Sequence, residues 1–130
     1  MIMSPRSSVT CGAVLAGVAV ACGAFGAHGL RDLLDRTGQA ATWETGCRYA
    51  MVHALALVAA GTLGLVRPSS IPWMTIAAWC FLAGVIVFSG SLLALALSDV
   101  RAFGAIVPIG GVALIAGWFC LALAAARIDT

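Results

Sequence analysis

The chain has 130 residues, of which 62% are hydrophobic and 9% charged, with a formal net charge of +2. An ordinary soluble domain carries about 25% charged residues, so this composition excludes a water-soluble globule of such small size. No nucleic-acid partner is expected of it.

Four apolar stretches, at residues 9–30, 49–66, 73–97 and 103–126, contain no Lys, Arg, Asp or Glu. A helix rises about 1.5 Å per residue, so about 20 apolar residues cross a hydrocarbon core roughly 30 Å thick. Only helices and closed barrels satisfy their backbone polar groups in lipid. The stretches are continuous and lack the alternation of a barrel strand. The expected fold is therefore an all-α integral membrane protein, one four-span domain with spans at about 9–30, 47–66, 73–97 and 103–126.

The first span follows Arg6, as in a secretory signal, and Ala19-Val20-Ala21-Cys22 loosely resembles a lipoprotein cleavage box. Its apolar run continues to Leu30, longer than a typical signal core, so a retained span is expected. Gly12, Ala16, Ala19, Gly23 and Gly26 repeat every three or four residues and form a small-residue seam suited to close helix packing.

The connection that follows places Leu30, Leu33 and Leu34 on one helical face. Arg31 with Asp35, and Asp32 with Arg36, form i,i+4 pairs opposite. Gly38 is a natural stop. This predicts a short amphipathic helix on the membrane surface. The second helix is expected to begin before its apolar run, near Ala40 or Trp43. Glu44 and Arg48 lie four apart, as do Tyr49 and His53, and His28 approaches the same membrane face from the first span. Polar groups at membrane depth are costly and tend to face the bundle interior. His28, Glu44, Arg48, Tyr49 and His53 are thus expected to cluster, as a polar plug between the first two spans or as a ligand or proton site.

Ser69, Ser70 and Pro72 suit the start of the third span, with Trp73 and Trp79 near the interface. Ala77, Gly84, Ser91 and Ser98 recur at sevenfold spacing along it, and Gly110, Gly117 and Ala124 do so along the fourth. Such spacing predicts crossings near +20° and a compact left-handed bundle. Ser89 and Ser91 are expected to hydrogen-bond their own helix or a polar network. Pro108 removes a hydrogen bond to the Gly104 carbonyl and is expected to kink or loosen the fourth span. The five cysteines are scattered, without the spacing of a metal or redox motif, and read as small apolar residues; no metal site is expected. Arg6, Arg67 and Arg127 on one side stand against Arg31, Arg36, Arg48 and Arg101 on the other, a difference too small to orient the chain.

Residues 23–30 (GAFGAHGL), Arg48-Tyr49 with 53–57 (HALAL), 88–92 (FSGSL) and 108–111 (PIGG) resemble domain-of-unknown-function family 423. That family includes bacterial inner-membrane proteins and the vertebrate transmembrane protein 256. The resemblance runs from about Gly12 to Ala125, with small departures at Cys47 and Val52. It implies four spans and supplies no reaction. The expected role is a non-enzymatic accessory or assembly subunit in a bacterial plasma membrane, with a membrane-protein partner or a second copy and no cofactor. One alternative is a small-solute or proton transporter gated by Glu44, Arg48 and His53 and hinged at Pro108. Another is a haem b protein ligated by His28 and His53.

Overall fold

The structure, a computed structural model, describes residues 2–127. It contains helices α1 (Pro5–Ala27), α2 (Arg31–Thr37), α3 (Ala40–Val66), α4 (Ile71–Ser98) and α5 (Ala102–Ala126). A short 3-10 turn, Pro68–Ser70, links α3 to α4. Four of the helices are long and apolar enough to cross a membrane. The protein is an all-α, four-span membrane bundle with a short helix between its first two spans.

Local chemistry sets the boundaries. Ser4 caps α1, its hydroxyl oxygen accepting from the Ser7 N–H at 3.1 Å, and Pro5 occupies the first turn. The first span was expected to reach Leu30, but α1 ends at Ala27. There the Leu30 N–H turns back to the Phe25 carbonyl at 2.8 Å and closes the helix. Gly38 stops α2 with φ of +70°, a conformation that glycine adopts without a Cβ clash. The Asp99 carboxylate at the end of α4 accepts from the Gln39 side-chain amide before α3 at 3.3 Å.

α2 lies on the surface with Leu34 as its anchor. Leu34 is buried with Trp43 of α3 and Ala96 of α4, while the Arg31–Asp35 pair stays in solvent. At the other end, the guanidinium of Arg127 sits 4.9 Å over the Trp73 ring.

The spans pack in chain order: α1 on α3, α3 on α4, α4 on α5. Burial follows this order, with 44% of the apolar window of α3 buried, against 11% in α1 and 17% in α5. The bundle is therefore open between its first and last spans, a looser arrangement than the compact left-handed bundle expected from spacing. α1 and α5 are edges.

Glycines explain the tightest seams. On α5, Gly110 lies against the Phe88 backbone, and a Cβ at Gly117 would sit 2.7 Å from the Phe81 ring. Between them Gly84 of α4 admits Leu114, 2.5 Å from where its Cβ would stand. The steps match in antiparallel sense: four then three residues from Phe88 to Gly84 to Phe81, and four then three from Gly110 to Leu114 to Gly117. On α1, a Cβ at Gly12 would meet Val58 at 2.7 Å, and Gly26 lies under the Trp43 indole. Gly61 of α3 meets Pro5 and Val9 in the same way, a contact the sequence reading passed over. Gly23 does not pack: a Cβ there would meet nothing within 4 Å, and it lines a hollow of about 260 Å³ beside α2. α5 runs unbroken through Pro108, which is exposed.

Candidate functional site

His53 is the only ionisable side chain buried in the described part of the bundle, with 5% of its surface exposed. Its Nδ1 lies 2.7 Å from the Tyr49 carbonyl oxygen one turn back on α3. Its Nε2 lies 3.1 Å from the indole Nε1 of Trp118 on α5. A carbonyl can only accept and an indole N–H can only donate. The partners therefore assign the neutral ring with its proton on Nδ1 and its Nε2 lone pair turned to Trp118. Both ring nitrogens are engaged, so in this arrangement His53 has no free lone pair for a metal.

Aromatic rings enclose the imidazole. Tyr49 stacks on Phe88 at 4.6 Å and on His53 at 5.8 Å. Phe81 lies 5.9 Å from His53 and meets Trp118 edge to face at 5.2 Å. Phe81 seats its ring on Gly117 and Phe88 its backbone on Gly110, so the α4–α5 seam and the histidine site are one piece of packing. Three spans converge here, with His53 and Trp118 linking α3 directly to α5.

The five residues expected to cluster separate into three places. Tyr49 and His53 stay together because four residues return to one helical face. Arg48 and His53 are five apart, which turns them about 140° round the helix. Arg48 pairs with Glu44 at 2.6 Å instead, with their side chains 65% and 70% exposed. The burial expected of Arg48 is not seen. His28 falls past the end of α1 and is exposed beside Ala24, Phe25 and Gly29. No group of three or more His, Cys, Asp or Glu among the described residues is placed to hold a metal.

Sequence reasoning missed two tryptophans. Trp118 stands nine residues in sequence from the nearest charge, Arg127, with nothing local to reveal its acceptor. Trp43 was read only as a helix start, yet it is buried, donates its indole N–H to the Cys22 carbonyl at 2.9 Å and fills the space over Gly26. The Gly26–Trp43 fit joins α1 to α3 where the polar plug was expected.

Comparison with known proteins gives a consistent picture. The family described as "Protein of unknown function (DUF423)" matches residues 22–111. A "UPF0382 membrane protein" of Staphylococcus epidermidis is 44% identical over 87% of this chain and 89% of its own length. The "UPF0382 membrane protein YwdK" of Bacillus subtilis is 43% identical over 89% of this chain and 93% of its own. The "UPF0382 membrane protein SSP2132" of Staphylococcus saprophyticus is 41% identical over 90% and 94%. No solved structure matches.

Proposed function

The chain belongs to the DUF423 family, its relatives being named membrane proteins, and we propose that it serves as a non-enzymatic accessory or assembly subunit that docks on another membrane protein. The observation that carries this reading is the open edge of the bundle. α5 is held by α4 and by the Trp118–His53 bond, while Ile109, Val112 and Phe119 point away from the fold, each about two-thirds exposed. Lipid tails do not drive such a face to associate; shape does, and a partner's helix can complete the row by close packing.

The charges support the same reading. Glu44 and Arg48 are paired in the open, and Asp99 lies at the end of α4. A transporter gate needs an ionisable group that alternates between environments, and a buried His53 with both nitrogens engaged offers none in this arrangement. Site-specific photocrosslinking from Val112 in native membranes tests the proposal. A discrete adduct with one other membrane protein is expected, absent when the probe stands at Leu55 on α3. Labelling of lipid alone, or only of a second copy, overturns it.

A further inference from the structure

α1 and α4 both lie on α3 but part company along its length. Near the N-terminus the segment leading into α1 is tied to α4, the Thr75 hydroxyl donating to the Met3 carbonyl at 3.4 Å. Towards α2 they leave a groove of about 270 Å³, open to the bilayer, with Leu15 and Ala19 on one wall, Ala50 on the floor and Val85, Ser89 and Leu93 on the other. No charged residue lines it. Small residues keep it open, and a Cβ at Gly90, also on its wall, would meet nothing within 4 Å.

Ser89 is the anomaly in this wall. It is 2% exposed, and its hydroxyl is the one buried side-chain polar atom among the described residues with no hydrogen-bond partner. Hydroxyls elsewhere in the helices behave differently: those of Thr10, Thr45, Thr62 and Ser98 each donate to the carbonyl one turn back. A buried polar group without a partner calls for one, and the residue that carries it lines the groove.

We propose that this groove binds an uncharged, hydrocarbon-soluble carbonyl compound of the quinone type, the Ser89 side chain turning about its Cα–Cβ bond to donate its hydroxyl to the ligand's carbonyl oxygen. The absence of charge from the walls disfavours phosphates and carboxylates, which bury only when paired. Depth selects further. Ser89 is nine residues from the end of α4 at Ser98, about 14 Å along the axis, well inside the hydrocarbon. A glyceride ester carries its carbonyl at the headgroup boundary and must sink to reach it, whereas a quinone ring travels within the apolar layer. The volume sits just below the roughly 300 Å³ at which small-molecule pockets begin, which suits one ring or one chain and no more. The site is independent of the α5 edge and of the docking role proposed above.

Native mass spectrometry of the protein released from nanodiscs, titrated with decylubiquinone, tests this. The wild type is expected to carry one equivalent. Gly90→Leu fills the groove from a position with room for it, so it is expected to keep the wild-type melting temperature and lose the adduct. Ser89→Ala is expected to keep the fold and weaken binding about tenfold, the scale of one hydrogen bond. Dioleoylglycerol, offered in competition, distinguishes the source: displacement by it at equal concentration assigns the carbonyl to an ester and overturns the quinone assignment. No adduct on the wild type, or equal adducts on wild type and folded Gly90→Leu, overturns the site itself. Unchanged affinity in Ser89→Ala overturns the role of the hydroxyl.

Discussion

At the scale of single residues, the strongest constraint is the pair of bonds that fixes His53. Trp118→Phe keeps an aromatic ring but removes the donor to Nε2, leaving a buried acceptor unpaired. It is expected to destabilise the protein by about 1–3 kcal/mol, read as a lower midpoint of thermal unfolding in mild detergent. A midpoint equal to wild type would mean that water or lipid reaches His53. Arg48 offers the contrast. Its bond to Glu44 is short but exposed, and exposed pairs contribute about 0–1 kcal/mol. Arg48→Leu is therefore expected to shift the same midpoint no more than Arg101→Leu, and a clearly larger shift would place Arg48 against protein.

At the scale of helices, glycines with the same sequence signature do different things. Gly110→Ala forces a methyl onto the Phe88 backbone and is expected to lose about 1–3 kcal/mol by overpacking. Gly23→Ala adds the same methyl to open space and is expected to be neutral or to stabilise, since glycine weakens a helix by up to about 1 kcal/mol. Unfolding of the two variants side by side checks this, and equal losses would remove the distinction. These cases mark how far the sequence could be read. Spans, loops and the surface helix follow from one-dimensional signals: apolar length, the charges flanking it, and Gly38 as a stop. The sevenfold repeat also marks a seam along α5. It does not say which side chain fills each gap, because Phe88 and Phe81 come from another helix. The histidine site was half legible. Tyr49 and His53 share a face by their spacing alone, whereas the five-residue step from Arg48 sends the guanidinium elsewhere, and Trp118 enters from a distant span with no local mark.

At the scale of the whole molecule, the spans form a row with two unpartnered edges. Small-residue spacing predicts that helices approach closely but leaves open whether the last meets the first, since that depends on the angle at each seam. Here α3 is the most buried span, α1 and α5 bury little, and a groove remains between α1 and α4. A closed bundle would present lipid with four similar faces. An open one presents a docking edge on α5, on which the proposed role depends. The most direct test is a spin-label distance between Val14 on α1 and Ile115 on α5, in a cysteine-free background reconstituted in bilayers. The open row predicts a separation of two or three interhelical spacings, about 16–30 Å at 8–10 Å each. A single spacing of about 8–10 Å between the helix axes would contradict it, closing the bundle and removing the edge.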